Sequence, residues 1–465
     1  MTRVARALTC IGCATLVAAC AVGPDYERPQ IDAVPEFKET GDWKPSEPSD
    51  ALSRGRWWEI FHDDVLDQLE AELDSSNESI KAAEASYEQA QALLRQARSE
   101  YFPDLSFNAA RQRAATANAS PTNLNTVGVR ASWEADLWGQ VRRSNEVSRS
   151  NMQASAGTLA SVRLSEEAAL ATTYFDLRAQ DQLDLLLNNI VAAQQASLDI
   201  VQNRYRAGVA AKADVVSAET QLLSSQAAQL NASIQRAIFE HAIAVLIGQQ
   251  PATFSEAKAE MRSDVPTVPP VVPSALLERR PDIATAERRV AAANAQIGVA
   301  KSAFFPSLTL SGSDQYSDNT LTKIVSTSHR VWSLGPAVVL TLFDGGLRKA
   351  QVAQARAAYE ASVDNYRETV LSGFADVEDD LVTLRVLEKQ SEIEAEAVKQ
   401  AREAETLTLN QYKAGTVPYS SVITAQTTRL SSEQTALNVL RSRLAASVTL
   451  IEDLGGGWSA SQLPK

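Results

Sequence analysis

The sequence predicts an α+β membrane protein made from one unit used twice, each unit two strands followed by a long helical hairpin. Three observations predict this. Motifs of the first half return in the second at a nearly constant offset. Two very long proline-free runs, rich in Ala, Gln, Leu and Glu, read as helices. Shorter runs between them alternate apolar and polar residues, as strands with two different faces do.

The repeat comes first because it organises the rest. Ser99-Glu-Tyr-Phe-Pro-Asp-Leu-Ser-Phe107 returns as Ser302-Ala-Phe-Phe-Pro-Ser-Leu-Thr-Leu310, an offset of 203 residues. Arg204-Tyr-Arg-Ala-Gly208 returns as Gln411-Tyr-Lys-Ala-Gly415, now offset by 207, and Gly139 with Gly346 and Gly248 with Gly455 keep that value. A constant offset over such a length indicates duplication, with the change of length in a loop between the Phe-Pro motif and the glycine that follows it (Gly139, Gly346).

In each half a helical stretch (about 63–100, then 281–303) ends at Phe-Pro. No proline occurs between Pro121 and Pro251 or between Pro336 and Pro418, and the long helices are expected over about 140–207 and 347–414. At a rise of 1.5 Å per residue each spans roughly 100 Å. A helix that long needs neighbours along its length. Leu187, Val191, Gln194, Leu198, Val201 and Tyr205 step by four and three, and Leu437, Leu440, Leu444, Val448 and Ile451 follow a similar rule, so a narrow seam against another helix is predicted. The short turn at Gly208 makes 140–207 and 212–247 a hairpin. The returning helix is too short to cover its partner, and stretch 63–100 has about the missing length, so the two are expected to stack end to end.

The strand runs follow the Phe-Pro motifs. Val127, Val129, Ala131 and Trp133 take one face, against Gly128, Arg130, Ser132 and Glu134 on the other. Leu308 and Leu310 alternate with Ser307, Thr309 and Ser311, and Val338, Leu340 and Leu342 continue the pattern in the last strand. Such alternation suits a transmembrane barrel with Trp133, Trp138 and Trp332 in aromatic girdles, and suits a soluble sheet equally. The count says more. Four strands per chain cannot close a barrel, and an open edge in lipid leaves backbone groups unpaired. Two copies give eight strands with a filled interior; three give twelve and room for a pore, so the count leans to three.

The N-terminus carries Arg3 and Arg6 before a small apolar stretch from Ala7 to Ala19, a secretory signal too short to span a bilayer. Val17-Ala18-Ala19-Cys20 resembles the bacterial lipobox, in which the cysteine becomes an acylated N-terminus, and Ala21 in place of Asp suits sorting to the outer membrane. Cys10 and Cys13 leave with the signal, so the mature chain keeps one thiol and no internal disulfide. The net charge of −13 becomes about −15 once the two signal arginines are gone, which disfavours nucleic acid and favours cations along any passage. Histidine occurs only at 62, 241 and 329, and no H-E-x-x-H, G-x-S-x-G, P-loop or G-x-G-x-x-G is present, so an enzyme is not expected. Paired carboxylates such as Asp379-Asp380 are read as solvated.

Together these residues resemble the TolC-like outer-membrane factors, in particular their NodT-type lipoprotein branch. The resemblance rests on the lipobox, Gly23-Pro-Asp-Tyr-Glu-Arg-Pro29, Trp57-Trp58-Glu-Ile-Phe61 with Asp63 and Leu66, both Phe-Pro motifs, the hairpin tips and the duplication. It implies a homotrimer: a 12-stranded outer-membrane β-barrel continuous with a long periplasmic α-helical barrel. The expected divisions are a lipoprotein signal peptide (1–19), a lipid-anchored extended segment (20–62) that wraps the body, a first repeat (63–250), a Pro-rich linker (251–280), a second repeat (281–457) and a tail (458–465). The implied role is the exit duct of a tripartite efflux pump, served by a periplasmic adaptor and an inner-membrane pump of the resistance-nodulation-division type. A type I protein-secretion duct and a non-pore periplasmic lipoprotein are the alternatives. No cofactor is implied beyond the diacylglycerol and acyl chain on Cys20. The resemblance puts the periplasmic gate at the hairpin tips, Gly208 to Asp214 and Gly415 to Ser421, and pairs Asp214 with Tyr412. The family's later acidic positions hold Ser421 and Thr424 here, a departure from the pattern. For Asp214 a plain helix N-cap is the competing reading.

Overall fold

The computed structural model describes residues 21–31, 36–40, 55–115, 117, 120–266, 268, 273–322 and 324–464. Cys20 and the signal peptide lie outside the described residues. Among the described residues, eight α-helices and four strands form the body: α1 (Asp64–Ser76), α2 (Glu78–Ser99), β1 (Asp104–Ala114), β2 (Thr122–Ala135), α3 (Gln140–Arg206), α4 (Lys212–Leu246), α5 (Pro273–Arg279), α6 (Pro281–Ser302), β3 (Ser307–Asp318), β4 (Arg330–Val339), α7 (Leu347–Lys413) and α8 (Tyr419–Asp453). The long helices α3 and α7 have 67 residues each, and the return helices α4 and α8 have 35 each.

The strands form one antiparallel sheet in chain order β1-β2-β3-β4. Its register assembles the local alternations into two continuous faces. Phe107 pairs with Val129, Trp133 with Leu310, and Leu308 with Val338, so one face is apolar over the part nearer the helices; toward the loops it also carries Asp314, which pairs with Arg330 at 2.7 Å. Ser106 pairs with Arg130, Ser132 with Ser311, and Ser313 with Ser333, giving a polar opposite face, where the last two hydroxyls hydrogen-bond at 2.9 Å. Leu105, Phe107, Leu334 and Val338 are largely exposed. Among the described residues, strands β1 and β4 each have one unpaired edge. Strand β4 ends at Val339, short of the expected Leu340 and Leu342; β3 begins at Ser307, opposite Val339, and offers no partner beyond it.

The helices lie in a row. Helix α3 packs on α2 and α4 along one side and on α6 and α8 along the other, and α7 packs on α6 and α8. The lateral order is therefore α2/α4, α3, α6/α8, α7. The expected end-to-end stacking occurs, with a correction: 63–100 is two helices, not one. Asn77 leaves the helical region (φ −62°, ψ 127°) and caps α2 by accepting from the Ile80 N–H. Its Nδ2 donates to the Leu246 carbonyl at 2.8 Å, tying the start of α2 to the end of α4. Gly248 turns the chain at this junction with φ +69°, and a Cβ there would lie 2.5 Å from the Ser76 carbonyl oxygen. Linker 251–280 is not wholly irregular either. Proline opens α5, whose Ala-Leu-Leu-Glu-Arg stretch favours helix, and residues 256–259 are held by an ionic cluster in which Arg178 meets Asp181 (3.0 Å) and Glu256 (2.8 Å).

Most of the core lies at mid-height, where Trp57, Trp58, Phe61, Leu66, Tyr174 and Phe175 pack with Ile243, Leu381 and Leu450. Residues 21–31 run along the outside of α3, α6 and α7. Val22 N–H donates to the Trp138 carbonyl (3.0 Å), Arg143 pairs with Asp25 (2.8 Å), and Arg28 Nε donates to Tyr366 Oη (3.3 Å). Further on, Glu378 accepts from the Lys38 N–H (2.7 Å) and Arg385 pairs with Glu39. Gly298 gives this segment its seat: a Cβ there would lie 2.9 Å from the Val22 carbonyl oxygen. Asp379 is exposed as expected, but Asp380 is not solvated; burial and the neighbouring Asp453 carboxylate hold its pKa above the usual carboxylate range.

Candidate functional site

The two hairpin tips meet at one end of the helical row. Both long helices end alike. Gly208 (φ +76°) donates to Tyr205 O, and Val209 donates back to Arg204 O; Gly415 (φ +80°) and Thr416 repeat this on Tyr412 and Gln411. A β-carbon is strained in this left-handed conformation, which accounts for glycine at both turns.

Beneath the turns a small core joins the hairpins. Leu198 and Val201 of α3, Val215, Ala218 and Leu222 of α4, Tyr412 of α7, and Tyr419 and Val422 of α8 are buried together. The Tyr412 and Tyr419 rings lie 5.2 Å apart. Seam residues Leu187, Gln194, Leu198 and Val201 are buried as the spacing predicts, whereas Tyr205 is 44% exposed because it sits at the turn, beyond the packed length, with the Lys212 ammonium 5.8 Å from its ring centre.

Arg204 crosses between the tips. Its Nη1 donates to the Lys413 carbonyl at 2.9 Å and its guanidinium lies 4.9 Å from the Tyr412 ring centre. The second-half counterpart of Arg204 is Gln411, so this bridge exists on one hairpin only. Tyr412 is 4% exposed, and its hydroxyl has no hydrogen-bond partner among the described residues. Burial raises its pKa, with Arg204 opposing and the Asp214 charge adding to the rise. Tyr419 is pushed up to about 12 by burial, then by Tyr412 and Asp214.

Asp214 and Tyr412 therefore share one neighbourhood without hydrogen-bonding to each other. Asp214 is not the N-cap of α4. That position is Ala211, which offers no side-chain cap; Asp214 is the third helical residue, where its charge suits the helix N-terminus. Ser421 takes the same rank on α8, whose N-cap is Pro418. Thr424 is exposed and donates to the Ser420 carbonyl at 3.0 Å. Residues 415–424 hold no carboxylate, so Asp214 is the one acid of the two tip segments. Sequence reasoning missed Arg204 and Tyr419; a charged residue replaced by Gln at the matching position of the repeat was the available signal for the first.

A four-stranded sheet carried on a row of helices that ends in glycine-turned tips is the architecture set beside known proteins, and it falls with the outer-membrane efflux ducts. The family model for outer membrane efflux proteins matches residues 70–249 and 272–456. The chain belongs to that family, which is one of efflux ducts, and its place is the outer membrane. It is 27% identical over 459 residues to the probable efflux pump outer membrane protein TtgC of Pseudomonas putida, covering 96% of this chain and 94% of that one. It is 31% identical over 436 residues to the pyoverdine export outer membrane protein OpmQ of the same species, covering 88% and 90%. The solved outer-membrane channel OprN superposes with a TM-score of 0.87 at 27% identity, over 94% of this chain and all of that one.

Proposed function

We propose that three copies of this chain form the exit duct of a tripartite efflux pump, passing small molecules such as drugs, toxic organics or metal ions from the periplasm to the outside. The observation that carries this reading is the sheet: one face that is apolar over the part nearer the helices, one polar face and, among the described residues, two unpaired edges. In a bilayer those edges must be paired, and pairing β4 of one copy with β1 of the next closes twelve strands around a polar lumen. The same ring brings three four-helix rows into a tunnel of twelve helices. The two matching halves of the chain suit such a barrel, since each half supplies the same parts, as a duplicated unit does.

Cys20 is the proposed anchor, carrying diacylglycerol and an acyl chain; Ala21 follows it, and Val22 is tied to Trp138 close to the membrane end of the helices. The tips are the proposed periplasmic gate, with Arg204, Tyr412 and Asp214 holding the closed arrangement. An adaptor and an inner-membrane pump, of the resistance-nodulation-division type, open and feed it. The test is export in cells. Deleting the gene is expected to raise accumulation of a fluorescent pump substrate, and wild-type protein but not a Cys20→Ala, signal-defective form is expected to reverse it. Unchanged accumulation on deletion, across dyes, solvents and metal ions, contradicts the role.

A further inference from the structure

The charge of the chain changes sign at its tips. The protein as a whole carries −13, yet residues 204–214 and 411–424 hold Arg204, Arg206, Lys212 and Lys413 against Asp214 alone, a local charge of +3. Along the four helices the next acids are Asp199, Glu219, Glu405 and Glu433. Each stands about 13 Å or more from its tip glycine by the helix rise. That exceeds the screening length of about 8 Å in physiological salt, so these acids do not cancel the tip charge.

The tip cations are also without acidic partners. Arg206, Lys212 and Lys413 are exposed, and none of the four forms an ion pair among the described residues. Arg206 donates to the Asn203 amide oxygen, Lys212 lies 5.8 Å from the Tyr205 ring centre, and Arg204 donates to the Lys413 carbonyl. Cations higher on the second hairpin are held differently: Arg402 meets Glu433 at 2.6 Å, and Arg429 meets Glu405 at 2.7 Å.

The duplication arranges these cations evenly. Arg206 stands two residues before Gly208 and Lys413 two before Gly415, the same step of each repeat. The two tips of one chain are level, since Arg204 reaches across to the Lys413 carbonyl at 2.9 Å. Rotation about an axis along the helices keeps the tips of three copies level. The ring proposed above then has one cation at each of its six tips, Lys212 adds three more, and the mouth carries nine net positive charges. A field is strongest where a passage is narrow and walled by protein, and rings of Arg and Lys there favour anions.

We infer that the periplasmic mouth of this duct collects and passes anions, such as carboxylates, phosphates and sulfonates, ahead of cations, with Arg206 and Lys413 as the selecting residues. The inference rests on the duct proposed above and narrows its cargo. Of the classes named there, anionic organic molecules enter most readily and free metal cations least. The overall negative charge points the other way, but its acids lie on the helix walls beyond the mouth.

Reversal potentials in planar bilayers test it. The reconstituted trimer is bathed in a potassium chloride gradient, and the sign of the zero-current potential tells which ion crosses more readily. Wild-type protein is expected to favour chloride. Arg206→Glu/Lys413→Glu takes the local charge from +3 to −1 per copy and is expected to favour potassium, with Arg206→Gln/Lys413→Gln falling between. Pyrophosphate added on the tip side is expected to reduce the wild-type current and to leave that of the Glu pair unchanged. Unheated gels check that each variant is still a trimer; if the Glu pair does not assemble, wild-type selectivity in the Gln pair counts against the inference. Potassium preference in wild-type protein overturns the inference and leaves the duct standing. Chloride preference kept by the Glu pair also overturns it, and loss of export in the same variant then assigns the cations to contact with an acidic surface of a pump component. No current from wild-type protein or from any tip variant overturns the duct as well.

Discussion

Glu167 gives a prediction whose size follows from the structure. It lies on α3 in the mid-height core, 6% exposed, and accepts a hydrogen bond from Trp57 Nε1 at 2.9 Å. Burial outweighs that hydrogen bond and the nearby Arg163, and the pKa rises from 4.5 to about 7. An acid whose pKa rises on folding gives the folded state its full benefit below the unfolded pKa. That benefit is lost as pH climbs through the folded value. At 1.36 kcal/mol per unit, ionising Glu167 costs the fold about 3 kcal/mol by pH 8. Glu167→Gln keeps an acceptor for Trp57 and cannot ionise. An unfolding entropy of about 2.1 cal/mol/K per residue amounts to about 1 kcal/mol/K over 465 residues, so the stabilisation is worth about 3 °C. The assay is thermal unfolding of detergent-purified protein at pH 5 and pH 8. The variant is expected to melt with the wild type at pH 5 and about 3 °C above it at pH 8. Equal shifts of both proteins between the two pH values, or a variant less stable at pH 8, refute the reasoning.

Four further outcomes are expected. Arg204→Ala removes the bridge between the tips, worth about 1–3 kcal/mol for a charged hydrogen bond, and raises the resting conductance of the reconstituted protein; unchanged conductance removes Arg204 from the gate. Asp214→Ala and Tyr412→Ala loosen the same closed state and are read the same way, with unchanged conductance in both counting against the gate. Leu334→Arg, on the apolar face, costs about 2–4 kcal/mol in the bilayer and lowers the yield of membrane-inserted protein, whereas Ser333→Arg on the polar face leaves that yield near wild type. Gly298→Leu fills the seat of residues 21–25 and is expected to expose the Glu27–Arg28 bond to a glutamate-specific protease in intact outer membranes; equal digestion of variant and wild type contradicts the seating.

Regular features were legible in the sequence because they repeat. The expected long helices at 140–207 and 347–414 end within one residue of the observed ones, since nothing interrupts their composition before the tip glycines. The sheet faces were legible from alternation, but not their joining across four strands, which depends on register. The break at Asn77 was hidden because Ser75-Ser76-Asn77-Glu78 keeps helical spacing on both sides, and only the capping geometry separates the two helices. The short helix α5 lies inside the stretch described from its sequence only as a Pro-rich linker, and a proline stands at its start. At the tips the residue types were legible and their contacts were not. Arg204 lies four residues before a glycine with no local mark of its role, and Asp380 looks solvated until Asp453 arrives from the far end of the chain.

Of the available measurements, the mass and migration of the protein taken from outer membranes bear most directly on the central claim that three copies close one channel. Native mass analysis in detergent is expected to give three chains per particle. Those particles are expected to run as a trimer on a gel when unheated, to collapse to a 50 kDa-class band on boiling, and to conduct ions in a planar bilayer. A monomer released from membranes without detergent, or a trimer that carries no current in either wild-type or tip-variant form, contradicts it.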